Sequence, residues 1–455
     1  MGDEGVSGES GVDARLDPSP ESVEPEAFAT ELPHETSPSL WRNRPYTALL
    51  AGETVAAVGV EIAQVAIPII AVTYLVATEF QIGVLGMAEG IAFLILALPV
   101  GAWVDRVSRR KVMIGANLVR ACAMAMVPIL YFSDMLNVPQ LVAIAFVISA
   151  AAVFFDTAYM SIVPGLVARD QLNDANSRLQ ISSETARAAG PGLGGVLAKV
   201  ISAAWLPLAA TFGYLVSAIA IWRIPADEPP PRAHDARLRT EISEGVSFVF
   251  RNRYIRPVVL STTVSNLFGT IAYTMLPVLL LRYLNLGPAA YGLMLTLTSI
   301  GGIAGAFSAP WFARKFGDGH AIAVTYFVAS APMFLIASSF WMPRQAAIIV
   351  LAIAGFWGVA GIVSFNVVQV SMRQRQCPPR MLARMTASIR MLIWGVGPLG
   401  ALLSGIIATH LGLASAFWIG AIGESLGVLF LILSPLWKLR DVPDPDWMAD
   451  EAQSA

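Results

Sequence analysis

Apolar runs dominate this chain, and their length says more than their period. Stretches of about 20 residues with few charges recur, the length an α-helix needs to cross roughly 30 Å of hydrocarbon. Twelve can be read, at 47–76, 82–103, 112–132, 140–163, 178–200, 204–223, 257–281, 290–312, 321–341, 346–370, 387–409 and 413–436. The alternation of a barrel strand is missing, and a helix satisfies its own backbone in lipid. The fifth run is the least apolar, because "SRLQISSETARAAG" is polar for a membrane segment. The pattern predicts an all-α polytopic membrane protein embedded in a bilayer.

Composition agrees and narrows the classes. Of 455 residues, 56% are hydrophobic and 14% charged, against about 45–50% apolar residues in soluble domains. Net charge is -2 and no basic face is concentrated enough for nucleic acid. Cys122 lies in an apolar run and Cys377 in a basic connection, so neither a disulfide nor a metal site is expected. His34, His234, His320 and His410 fall in tails or expected connections, which leaves no buried histidine cluster. Without a nucleophile–base constellation, metal cluster or P-loop, the chain reads as neither an enzyme nor a user of ATP, and no cofactor is expected. Residues 1–44 form an acidic segment rich in Pro, Ser and Glu that lacks the features of a secretory signal and reads as a disordered tail.

Basic residues orient the spans. With the N-terminus inside, the inner loops collect Arg106, Arg109, Arg110, Lys111, Arg169, Arg314, Lys315, Arg373, Arg375, Arg380 and Arg384, and the tail 439–455 is preceded by Lys438. The outer side holds Lys199, Arg282 and Arg344 alone. Both termini are therefore expected to be cytoplasmic, in the cell membrane. Residues 224–256 divide two halves, 45–223 and 257–438; "PADEPPP" opens a linker and "EISEGVSFVFRNRYIR" is amphipathic enough for a short helix on the inner surface.

The halves repeat. "VAIPII" around Pro68 matches "TMLPVL" around Pro277, "AWVDRVSRRK" matches "PWFARKFGDG" through Trp103 and Trp311, and "GPGLGG" matches "GPLGAL" through Pro191 and Pro398. The three offsets are 209, 208 and 207 residues. Six spans per half make the repeats parallel in the membrane, a plan in which a central site is gated alternately from each side.

These motifs resemble the major facilitator superfamily. "GAWVDRVSRR" is similar to its loop between helices 2 and 3, with Gly101, Asp105, Arg106, Arg109 and Arg110 matching and Ser108 where Gly is usual. "ARAAGPGLGG" resembles its antiporter motif through Gly190, Pro191, Gly194 and Gly195, with Ala186 in place of the first Gly. "LNDANSRLQ" and "FFDTAYMSIVPGLV" look like the branch of enterobactin exporters and macrolide efflux pumps. The resemblance spans about residues 45–438 and implies a monomeric transporter that exports a small molecule in exchange for protons. A non-transporting scaffold or sensor on the same fold, or an importer of a small metabolite, are the alternatives.

Within that frame, particular residues draw attention. Asp105 opposes the basic trend of its loop and is expected to latch onto the start of helix 11, near Met385 to Ser388, while the second copy has Ala313 at the acid's place. Acids at span depth are costly, on the order of 2.5–3.5 kcal/mol each if unpaired, so Glu61, Glu89, Asp156 and Glu424 are candidates for proton coupling. No base shares the depth of Glu61 and Glu89 on helices 1 and 2, which places these two first. Glu184 and Arg187, three residues apart, read as a structural ion pair. The family plan puts helices 1, 4, 7 and 10 around the cavity, which makes Gln64, Tyr159, Asn266, Tyr273, Asn366 and Gln369 candidates for its lining, with Asp156. The glycines of helix 5 are expected to face Gly301, Gly302 and Gly305 of helix 8.

Overall fold

The computed structural model describes residues 40–104, 106–224 and 238–443. Residues 1–39, Asp105, 225–237 and 444–455 lie outside them, and with them the acidic tail, most of the linker and the C-terminal end. Among the described residues all regular structure is helical. The chain forms α1 (Arg44–Ile69), α2 (Glu79–Val104), α3 (Arg109–Phe132), α4 (Val138–Leu166), α5 (Leu172–Ile201) and α6 (Pro207–Trp222). After the linker come α7 (Leu238–Arg251), α8 (Ile255–Pro277), α9 (Pro288–Ser338), α10 (Arg344–Arg375), α11 (Leu382–Trp394), α12 (Gly397–Leu411) and α13 (Leu413–Ile432).

Local chemistry sets the helix ends. Asn43 caps α1 by accepting from the Tyr46 amide at 3.1 Å, and its own amide donates to the Leu166 carbonyl at 2.7 Å, tying α1 to the end of α4. Asn137 and Gln140 form a reciprocal capping box at the start of α4. In α1 and α8 the prolines at 68 and 277 precede π-helical turns at Ile70–Tyr74 and Val278–Tyr283. A proline nitrogen cannot donate, which weakens the four-residue ladder there and lets the wider turn take over. Two residues beyond each turn comes a residue of positive φ, Val76 at 47° and Asn285 at 49°, so the two halves repeat even their irregularity.

Ten helical segments are long and apolar enough to cross a membrane. The expected fifth span, α5, is a helix of 30 residues but too polar to be among them. The expected eighth and ninth spans are one element: α9 has 51 residues, roughly 77 Å at 1.5 Å per residue, more than twice the hydrocarbon thickness. Gly317 divides it, with φ 74° and ψ 161°. A side chain there would run into the backbone of Arg440, whose carbonyl accepts from the Gly319 amide at 2.9 Å. The expected helix 387–409 is likewise interrupted between α11 and α12, where Gly395 lets α11 approach Leu94 of α2. His320 and His410 lie inside helices, in α9 and the last turn of α12, and not in connections.

Burial differs between the two ends of the bundle. At the end carrying Arg282, one apolar core runs through both halves and joins Ile69, Val72 and Leu85 to Met275, Leu279, Tyr291 and Phe417. At the other end the cores are separate. Leu49, Val104, Met113, Phe155 and Ile221 form one, Tyr326, Phe365 and Met372 another, and Ile255, Met385 and Ile389 a third. The third includes Val249 of α7, so the short helix expected on the membrane surface packs on protein: Gly245 fits against Ser388 and Arg384 of α11, and Glu244 pairs with Arg384 at 2.5 Å. Between the halves α2 meets α12 and α5 meets α9.

Candidate functional site

Asn266, Tyr273, Asn366 and Gln369 border one cavity of about 540 Å³ between α8, α10, α11 and α13. Helical spacing explains the gathering: Thr262, Ser265, Asn266, Gly269 and Tyr273 fall on one face of α8, and Asn366, Gln369 and Arg373 on one face of α10. Glu424 of α13 completes the wall and is 3% exposed. Its Oε1 accepts from the Ser265 hydroxyl at 3.2 Å, its backbone carbonyl accepts from Tyr326 at 2.6 Å, and its Oε2 is buried without a partner. Gly269 lies beside it, and a Cβ there would stand in ordinary contact, 3.7 Å, with that carboxylate. Gln64 and Tyr159 are not in this cavity; they belong to the first half, where Gln64 is exposed and Tyr159 stacks on Phe155 at 5.8 Å.

Glu89 borders a second cavity, about 400 Å³, lined from both halves by Gly86 and Gly90 of α2, Asn266, Thr270 and Thr274 of α8, and Trp394 to Ala401 around the start of α12. Asn266, Thr270 and Trp394 are common to both cavities. Among the described residues no ion pair reaches the Glu89 carboxylate. Glu61 differs from its expected isolation, because the base comes from another helix: Arg187 of α5 lies 4.0 Å from it. Gly190 permits that approach, since a side chain there would collide with the Cβ of Glu61. Arg187 is also 3.9 Å from Glu184, which accepts from Gln180 at 2.8 Å, so the expected Glu184–Arg187 pair is one limb of a shared arrangement.

The first half holds a polar network that the sequence pattern does not assemble. Glu53 accepts from Ser217 at 2.6 Å, Ser217 from Asn117 at 2.8 Å, and Asn117 from Arg120 at 3.4 Å. The Arg120 guanidinium lies 4.8 Å and 4.4 Å from the ring centres of Phe155 and Tyr214, a cation–π arrangement. Asp156 is within electrostatic reach of Arg120 and of Arg390 on α11. A lone base in the middle of the apolar run 112–132 was the available signal for Arg120.

At the opposite end from α7, Arg282 reaches from the π-helical turn of the second half into the first. It pairs with Glu79 at 3.1 Å and donates to the carbonyls of Val72 at 3.4 Å and Ala77 at 2.5 Å. Arg344, the other arginine at that end, stays in its own half and donates to Leu284 at 2.8 Å and Asn285 at 3.0 Å.

In the loop motif, Ser108 caps α3 by accepting from the Lys111 amide at 3.4 Å, a use for the residue that replaces Gly. Arg110 donates to the carbonyls of Ile221 and Trp222 and so closes the C-terminal end of α6. Arg109 begins α3, Arg106 is exposed, and Gly101 has open space beside it. The latch expected of Asp105 lies outside the described residues. The second copy, with Ala313 at the acid's place, carries Asp318 four residues past Arg314, paired with Arg375 at the end of α10. In the helix 5 motif, Gly194 packs on Ile62 and Val65 of α1, while Gly195 and the backbone of buried Pro191 meet Gly292 of α9. Gly301, Gly302 and Gly305, expected to oppose this face, instead pack on Phe356, Val359 and Ala360 of α10. Among the described residues no three His, Cys, Asp or Glu side chains gather as metal ligands would.

Comparison with known proteins agrees with this architecture. The multidrug efflux pump Tap of Mycolicibacterium fortuitum is 28% identical over 352 residues, covering 73% of this chain and 82% of the relative. The enterobactin exporter EntS of Citrobacter koseri is 24% identical over 91% of this chain and 97% of its own. A bacterial homologue of the iron transporter ferroportin, crystallised in an inward-facing state, superimposes with a TM-score of 0.72 at 14% identity, covering 86% of this chain and 98% of that one. These relatives are membrane transporters and not enzymes. With residues 36–452 matching its profile, the chain belongs to the transmembrane secretion effector family of the major facilitator superfamily.

Proposed function

We propose that this protein is a proton-coupled secondary exporter of an amphipathic small molecule that works by alternating access. Twelve spans follow from the ten apolar segments once α9 is divided at Gly317 and α5 is included. They group as two parallel six-helix bundles, 45–223 and 257–438, with both termini cytoplasmic and the Arg282 end outside. One observation carries the reading: the halves share a single core at the Arg282 end and have separate cores at the α7 end. A bundle pair that shares a core only at one end, with a cavity lined from both halves, is a transporter closed outside and accessible from within. Arg282 acts as the outer clasp in this state.

The names of the relatives, a multidrug pump and a siderophore exporter, support export of an organic molecule. The cavity, at about 540 Å³, suits a drug-sized ligand. Among the acids, Glu89 and Glu424 face cavities and have no ion-pair partner among the described residues, and they are assigned the coupling role. Glu61 and Asp156 have Arg187 and Arg120 as counter-charges and serve as supporting groups. The test is accumulation of a fluorescent amphipathic dye in inverted vesicles under an imposed pH gradient. Gradient-driven uptake that Glu424→Gln or Glu89→Gln lowers tenfold or more supports the reading. Uptake absent in the native protein, or unchanged in both variants, rejects it.

A further inference from the structure

Three buried polar atoms on residues lining the larger cavity have no hydrogen-bond partner: Glu424 Oε2, Gln369 Oε1 and Arg373 Nη1. Buried groups of this kind are costly to leave unmade, and a cluster of them on one cavity wall points to a partner that the cavity receives. Their chemistry is divided. Glu424 and Gln369 offer acceptors, and each has its other polar atom already engaged, with Ser265 at 3.2 Å and Asn366 at 3.1 Å. Arg373 offers a cationic donor.

Position separates them as well. Arg373 is two residues from the end of α10 and Glu424 eight residues from the end of α13. Counted back from those ends at 1.5 Å per residue, Glu424 lies about 9 Å deeper on its helix than Arg373 does on its own. Arg390, the other base on this lining, is within electrostatic reach of Asp156 of the first half. The wall therefore carries one acid, Glu424, and two bases, with Arg373 close to the α7 end and Glu424 deeper. The rest of the lining includes Tyr273, Phe365, Ile389 and Trp394, which give the cavity an aromatic and apolar character.

We propose that this cavity is a site for zwitterionic amphiphiles: an ammonium group held by Glu424 and Gln369, an anionic group held by Arg373, and an aromatic body between them. A simple lipophilic cation would leave Arg373 unmatched, and an anion would leave Glu424 unmatched. This assignment rests on the transport reading for its biological meaning but not for its measurement.

The experiment is equilibrium binding to the purified full-length protein in nanodiscs, with three ligands built on one naphthalene body. They are an aminomethyl-naphthoic acid, its methyl ester and its N-acetyl derivative. The zwitterion is expected to bind at least tenfold more tightly than either derivative. Glu424→Gln should erase its advantage over the N-acetyl form only, and Arg373→Gln its advantage over the ester only. That crossed pattern also controls for folding, because a damaged protein loses all three ligands together; both variants failing in that way calls for Glu424→Asp and Arg373→Lys, which must retain the preference. An ester that matches the zwitterion, equal losses in both variants or no binding of any ligand overturns the proposal. Dye transport under a pH gradient with no zwitterion preference sinks this site assignment alone. The crossed pattern without gradient-driven movement sinks the transport reading and leaves the site.

Discussion

The two halves of the chain place an acid and a serine across the same helix pair in opposite order. In the first half Glu53 is on the opening helix α1 and Ser217 on the closing helix α6, 2.6 Å apart. In the second half the serine, Ser265, is on α8 and the acid, Glu424, on α13, 3.2 Å apart. Ser217 and Glu424 are 207 positions apart, the same offset as Gly213 and Gly420, which press onto the opening helix of their own halves. The surroundings of the two acids differ. The Glu53 network ends in Arg120, wedged between two aromatic rings, so its charge is matched within the protein. Among the described residues no base pairs with Glu424, which has a cavity beside it instead. One half uses its polar groups to hold itself together, and the other, on the reading proposed above, keeps them for a ligand.

Breaking the matched side should have the largest effect. Arg120→Gln leaves Glu53 and Asp156 without their common base and is expected to cost about 3 kcal/mol, the range for removing one partner of a buried pair. Thermal melting of the purified protein checks this, and the double variant Arg120→Gln, Glu53→Gln should recover most of the loss. If the double variant melts as low as the single one, Arg120 does not serve as the counter-charge. On the unmatched side, Glu424→Gln should leave melting within about 1 kcal/mol of native and lower gradient-driven dye uptake tenfold or more. Equal melting losses at Glu424 and Arg120 would erase the contrast between the halves.

The proposed outer clasp gives an effect of intermediate size. Arg282→Ala removes three polar links between the halves, whereas Arg344→Ala removes two within one half. A cysteine introduced at Thr274, on the wall of the cavity between the halves, should react about tenfold faster with an external, impermeant maleimide in the Arg282 variant. The Arg344 variant should label at the native rate. Similar rates in all three would remove Arg282 from the gate. The smallest expected signal is at Cys377, where burial pushes the thiol up to about 11. Its thiolate is therefore scarcer at pH 7.5 than that of a free cysteine, and it should stay unlabelled in the native protein and react on denaturation.

Much of the fold is legible along the chain. The apolar runs, the repeated prolines and the basic asymmetry are local quantities, set by the length and composition of each segment. The same logic marks α5 as polar, and its helix follows from packing against α1 and α9 through Gly190, Gly194 and Gly195. The division of α9 at Gly317 is less visible, because the constraint comes from Arg440, more than a hundred residues away. Among the site residues, sequence indicates which side chains are too polar for their depth, Glu61, Glu89, Asp156 and Glu424 among them. It does not indicate their partners. Glu61 meets Arg187 and Glu424 meets Ser265 because helices α1 and α5, and α13 and α8, pack at particular rotations about their axes.

That separates the two contributions. The sequence by itself determined that this chain crosses a membrane repeatedly, that its halves repeat, and which polar groups had to be accommodated at depth, since each depends on residues close in the chain. Only the tertiary structure decided which acids receive a base, that Gly292 and not Gly301 faces α5, and that the halves share a core at one end alone. Those outcomes depend on helix rotation and tilt, which the close packing of the whole bundle sets together.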